Sequence, residues 1–307
     1  MKRVFILILF ALTVSGLPAA FAQQTAMFTQ YMFNTLALNP GYAGSRNVIS
    51  ATALLRTQWV GVDGAPRTQT FTIDAPVNQK KIGLGLQLFS DKLGKTSNTG
   101  IVASYAYRIR MDKASLSFGL QANMSQFTTN FNSVDLDPSG LSVDPAFISN
   151  DKKTLYNFGT GIYYNSDRFY AGLSSPELMN TVLPGSQTKG NRQSLHVFLM
   201  SGYVLSLNNT FKLKPSFLLK GVQGAPLEAD LNASVWIKDI LCLGAQYRTN
   251  ADLSGLIEIQ ASPQFRLGYS YDHSTTPLSK YNSGSHEIML RYEFGFQRDK
   301  VLTPRYF

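Results

Sequence analysis

Residues Leu227 to Lys238, "LEADLNASVWIK", place Leu227, Ala229, Leu231, Ala233, Val235 and Ile237 in one row. Glu228, Asp230, Asn232, Ser234 and Lys238 fall in the other. Successive strand side chains point to opposite faces, so this is a strand with one apolar face and one charged face. His286 to Phe296 repeats the pattern, with Ile288, Leu290, Tyr292, Phe294 and Phe296 opposed to Glu287, Met289, Arg291 and Glu293. Phe265, Leu267, Tyr269 and Tyr271 alternate with Arg266, Gly268, Ser270 and Asp272. No stretch of 18 consecutive apolar residues follows the leader, and mean hydropathy is near zero. That leaves two architectures: a soluble exported β-protein, or a β-barrel whose alternating faces average out in any hydropathy window.

The alternation recurs along the chain. It predicts strands at 48–59, 67–75, 82–90, 99–110, 114–127, 154–165, 168–174, 191–206, 210–221, 227–238, 240–249, 254–262, 265–272 and 285–296. The connections sort by length. "MDK" (111–113), "NSD" (165–167), "LNN" (207–209), "KD" (238–239) and "SPQ" (262–264) are short, and "PVNQKK" (76–81) is slightly longer. The interleaved segments 128–153, 175–190 and 273–284 are long. Outer-membrane barrels have short periplasmic turns and longer external loops, whereas a soluble sandwich has no reason to sort its loops. An even strand number puts both termini on the short-turn side.

The faces favour the same reading. The apolar rows carry almost no ionised residues, which suits lipid. The other rows hold Glu228, Asp230, Arg266, Asp272, Glu287, Arg291 and Glu293, which need water or mutual pairing. Tyr105, Tyr107, Tyr163, Tyr247 and Tyr269 near strand ends fit interfacial girdles, or core aromatics in a soluble protein. The expected fold is an all-β, up-and-down antiparallel transmembrane barrel of about fourteen strands, with twelve or sixteen as alternatives.

Four segments follow. Residues 1–22 read as a secretory signal peptide: Lys2 and Arg3, an apolar run from Val4 to Val14, then Ala20-Phe21-Ala22. The alternative is an uncleaved anchor, for which the apolar core is short. Residues 23–47 form an opening segment, 48–296 the barrel, and 297–307 a tail. Cys242 is the single cysteine, so no intrachain disulfide forms, and a small residue facing a packed interior is the expected role. Net charge is +9, or +7 without Lys2 and Arg3, with no basic run longer than two residues. That excludes a nucleic-acid patch and leaves either a solvated surface or a mild preference for acidic partners or lipid phosphates.

Catalytic patterns are missing. Asp272, His273 and Ser274 are adjacent, but neighbours in sequence rarely form a working triad. There are no paired cysteines, no H-E-x-x-H and no Asp-rich calcium loop, so no metal and no cofactor is expected. "IGLGLQ" (82–87) has Gly83 and Gly85 but no third glycine, which marks a bend or close packing, not a nucleotide loop.

"RTQWVGVDGAPRTQTFTIDAP" (56–76) reads as a hairpin turning at Gly61 to Pro66. Together with "QYMFNTLALNPGYAGSR" it resembles the PorP/SprF family, outer-membrane proteins of the type IX secretion system of Bacteroidetes. The likeness continues through "SYAYRI" (104–109), "DPAF" (144–147), "FYAGLSSPEL" (169–178), "GAQYRTN" (244–250), "LGYSYD" (267–272), "HEIMLRYEF" (286–294) and "PRYF" (304–307). Where the family often has Asn-Pro-Ala, this chain has Asn39-Pro40-Gly41, which keeps the turn. The resemblance implies a non-enzymatic barrel that supports export or surface retention of type IX cargo, such as the C-terminal domains of secreted gliding adhesins. It also implies partners among other secretion-system components, outer-membrane lipid and a peptidoglycan-linked periplasmic protein.

The opening segment is expected to plug the lumen, which fourteen strands make wider than their own side chains fill. Tyr31, Phe33 and Tyr42 would supply volume, Asn34 and Asn39 hydrogen bonds, and Pro40 the turn. A flexible periplasmic arm is the alternative. Arg305, Tyr306 and Phe307 of the tail are expected to share the partner surface by pairing with an acid and anchoring at the interface. For the whole chain, a porin for small or hydrophobic solutes is the competing function.

Overall fold

The computed structural model describes residues 27–130, 151–179, 195–223 and 225–294. Fourteen antiparallel strands form one sheet. They are β1 (Ile49–Thr57), β2 (Arg67–Val77), β3 (Ile82–Leu93), β4 (Thr96–Arg110), β5 (Ala114–Thr129), β6 (Asp151–Ser166) and β7 (Phe169–Ser175). There follow β8 (His196–Tyr203, resuming past Val204 as Leu205–Ser206), β9 (Phe211–Val222), β10 (Glu228–Ile237), β11 (Leu241–Arg248), β12 (Asp252–Gln260), β13 (Phe265–Ser274) and β14 (Ser285–Phe294). Each pairs with the next. β1 pairs with β14 from Ile49 opposite Phe294 to Thr57 opposite His286, so the sheet closes into a barrel. The expected leader 1–22 and tail 297–307 lie outside the described residues.

Alternation decides which face goes where. Leu231 is 54% exposed while its neighbours Asp230 and Asn232 are buried. Ile288, Leu290, Tyr292 and Phe294 point outward; Glu287, Met289 and Arg291 point inward. The outside is therefore an apolar wall and the inside a polar core. In hydrocarbon every backbone group must be paired within the protein, and a closed ladder is the only sheet that does so. Tyr105, Tyr107, Tyr247 and Tyr269 lie on the outer wall as expected. Tyr163 does not: it is fully buried in the interior, because β6 turns its odd-numbered residues inward.

The expected boundaries between β3 and β4 change. β3 and β4 extend through Ser90 to Lys92 and Ser97 to Thr99 to meet at Gly94-Lys95. Pairing uses backbone groups and is indifferent to those polar side chains, and Gly94 takes the left-handed conformation (φ 56) that the tight turn needs. The β11–β12 connection is short as well. Loop sorting is therefore less strict than the sequence suggests, yet the strand ends that bound the long connections 58–66, 130–150, 176–195 and 275–284 all lie at one end. The opposite end carries only short turns, along with the start of β1 and the end of β14.

Leu231→Arg puts a charge near the middle of the outer wall and should destabilise the inserted barrel by about 2–4 kcal/mol, whereas Leu227→Arg at the rim should stay within about 1 kcal/mol. Denaturant titration of the two variants refolded into lipid vesicles measures the difference. Equal effects would mean that the outer wall does not face lipid.

Candidate functional site

Several of the inward charges occur in compensated sets. Arg56 lies 2.7 Å from Asp272 and 3.0 Å from Glu287. Arg248 lies 2.8 Å from Asp230 and 3.4 Å from Asp252. Arg266 lies 2.8 Å from Glu258 and stacks over the Trp236 ring at 5.0 Å. A buried ion loses its hydration, so its partner and further hydrogen bonds must replace it.

For the Arg56 and Arg248 sets, further bonds come from residues 27–47. The segment contains three short 3-10 turns, Tyr31–Phe33, Thr35–Ala37 and Pro40–Tyr42. Asn39 caps the third by accepting from the Gly41 N–H at 2.8 Å, and Pro40 supplies a first position that needs no donor. Tyr31, Phe33, Asn34, Asn39, Pro40 and Tyr42 are all buried in one continuous stretch. Arg305, Tyr306 and Phe307 lie outside the described residues.

Each part of the segment meets a different part of the wall. The Thr29 and Gln30 N–H groups donate to the two Glu287 oxygens at 2.9 and 2.8 Å. The Thr29 hydroxyl bridges Asp272 and Arg56, both at 2.8 Å. Arg248 donates to the Phe28 carbonyl at 3.3 Å. Farther along, Asn34 donates to Thr70 at 3.3 Å and accepts from Thr72 at 3.1 Å. The Ser174 hydroxyl donates to the Leu38 carbonyl at 2.7 Å, and Asn39 donates to the Ile162 carbonyl at 3.0 Å. The Gly44 N–H reaches Asp74 at 2.8 Å, Arg108 donates to the Gly44 carbonyl, and Arg46 pairs with Glu293 at 2.6 Å. Aromatic packing fills the spaces between: Tyr42 meets Tyr163 edge-on at 5.3 Å, and Lys214 Nζ lies 5.5 Å from the Phe33 centroid.

Glycines of the wall make room for this. A Cβ on Gly83 would overlap the Ala43 carbonyl, one on Gly119 the Pro40–Gly41 peptide, and one on Gly161 the Asn39 side chain. These are close-approach glycines, as the sequence suggested for Gly83. Their inward parity in β3, β5 and β6 was the available signal: a missing side chain where the wall should have one. The Thr29, Gln30 and Gly44 backbone donors carried no signal, since any residue type supplies an N–H. The partners of the described residues step along the wall from one end to the other.

The family described as "Type IX secretion system membrane protein PorP/SprF" matches residues 20–292. The chain belongs to the PorP/SprF family. It is accordingly an outer-membrane component of that secretion system. No curated protein matches it. Among solved structures, the Ralstonia pickettii toluene transporter TbuX is 9% identical with a TM-score of 0.51, over 86% of this chain and 93% of that one. The CymD monoaromatic hydrocarbon channel is 12% identical with a TM-score of 0.50, over 89% of this chain and 94% of that one. At such identities the likeness concerns the fold alone.

Three substitutions test how this PorP/SprF chain holds its segment. Gly119→Val should expel the 39–42 turn from the wall and destabilise the protein by about 1–3 kcal/mol, the range for overpacked sites. Gly255→Ala, with open space at its Cβ, should be silent. Protease protection of residues 27–47 is the readout. Glu287→Ala leaves Arg56 short of a partner and strands two backbone donors, and should cost about 3–5 kcal/mol in a denaturant titration.

Proposed function

We propose that this family member is a non-enzymatic binding and structural component of the secretion machine. It supports export or surface attachment of specific cargo, such as adhesin C-terminal domains, and links the outer membrane to the periplasmic ring or a peptidoglycan-linked protein. Short turns and the end of β14 face the periplasm, and longer connections face outward, following the general rule for such barrels. The observation that carries the reading is the tethered segment. Residues 28–47 are tied to the wall at both ends of the interior and act as a plug. A barrel filled by its own chain suits docking better than diffusion.

The residues also speak against a hydrolase. Asp272 points inward and pairs with Arg56, whereas His273 points outward. Adjacent strand residues on opposite faces cannot share a proton.

A solute channel is the second reading, favoured by the fold shared with a toluene transporter and a hydrocarbon channel. Planar-bilayer recording separates the two. The intact chain should show no stable large conductance, and a variant lacking residues 27–44 should. Affinity purification from native membranes should recover cargo or ring proteins with the intact chain. A conducting intact chain that purifies alone would favour the channel.

A further inference from the structure

The order of contacts gives the segment a direction. Phe28 meets Arg248, the last residue of β11, at the end bearing the long connections. Thr29 and Gln30 meet Asp272 near the end of β13, Glu287 near the start of β14, and Arg56 near the end of β1, all at that same end. Asn39 and Gly41 lie against Gly161 and Gly119, farther down the wall. Ala43 lies against Gly83, the second residue of β3, and Gly44 is held by Asp74 and Arg108. Arg46 pairs with Glu293 beside the end of β14, at the short-turn end. Gly44 (φ 69) and Asn47 (φ 61) then turn the chain back into β1, which climbs the wall in the opposite direction.

We infer that the segment is threaded through the barrel from end to end, so that its amino-terminal side addresses the long-connection face. That is the face opposite the end of β14. Two features fix this direction. The carboxylate that takes the Thr29 and Gln30 amides belongs to β14, and its position three residues into that strand puts it at the long-connection end. The reverse threading would leave Glu287 and Asp272 without those donors, Arg56 without the Thr29 hydroxyl that accepts from it, and Asp74 without the Gly44 N–H. The consequence is functional. A partner that reads the amino-terminal side of this chain meets it among the long connections, while the short-turn face offers Arg46, Asn47 and the hairpin turns. One chain thus presents different surfaces on the two sides of the membrane. Naming the long-connection face as the cell exterior rests on the orientation proposed above.

Three epitope insertions in otherwise intact protein test the inference: directly ahead of Met27, between Asp112 and Lys113 in a short turn, and between Ser279 and Lys280 in a long connection. Impermeant antibody is applied to whole cells and to opened cells, and heat-modifiable migration reports folding. The epitope ahead of Met27 should label together with the 279–280 epitope. If it labels with the 112–113 epitope, the threading is overturned. If the 112–113 and 279–280 epitopes exchange sides, the membrane orientation fails, and the threading is still judged by which of them the amino-terminal epitope follows. A second measurement does not depend on the insertion. Thr29→Cys with Asp272→Cys, in a Cys242→Ser background oxidised by copper phenanthroline, should give a disulfide-linked species of altered migration. Its absence, with ready cross-linking of Arg46→Cys to Glu293→Cys, would also overturn the threading.

Discussion

The pairing of Ile49–Thr57 with the last strand is the interaction on which the rest depends. Hydrocarbon offers no hydrogen bonds, so an open sheet would leave two rows of backbone groups unpaired. The pairing joins the first and last strands of the sheet, the most distant contact in the ladder, and the entropy of closing so long a loop grows only slowly with its length. Once the ring is closed, the parity of every strand is fixed together. Apolar rows face lipid, polar rows face inward, and a slip of one residue anywhere would exchange them.

Closure also creates the interior in which the described opening segment packs. Fourteen strands enclose more space than their inward side chains fill, and that space is lined with ionised groups. The segment supplies both volume and donors. At one end it satisfies Glu287 and Asp272 through Thr29 and Gln30, and at the other it brings Arg46 to Glu293. Glu287 and Glu293 both belong to β14, while Arg56 belongs to β1, so these contacts brace the seam at which the barrel closes. The inward glycines show the same dependence from the wall side, since the space of their missing side chains is occupied by segment backbone at Gly83 and Gly119 and by the Asn39 side chain at Gly161.

Fold likeness and family membership point to different emphases. The solved channels with similar architecture share the wall but little sequence, and a wall is what any membrane barrel of this size requires. The family match spans nearly the whole described chain, including the segment inside it. Inside the wall of this molecule lie tethered 3-10 turns and charges that pair across the interior.

The alternation of Leu227 to Ile237 and its repeats determined the strands, their number and the faces they turn to lipid, because a period of two is written residue by residue. The aromatic and Asn-rich character of residues 30–47 likewise marked out a segment that packs. Parity near strand ends was less legible: Tyr163 and Tyr164 both suit a girdle, and only the pairing of β6 sent the first inward. The strand extension to Gly94 was hidden because polar residues continue a ladder as well as apolar ones. The path of the opening segment was not written locally at all. It follows from backbone amides meeting carboxylates more than two hundred residues away, and from glycines whose meaning depends on what lies opposite. The sequence determined a barrel and a segment able to fill it. The tertiary structure decided the direction in which that segment runs, because direction is set by which end of each strand carries the acid that its amides require.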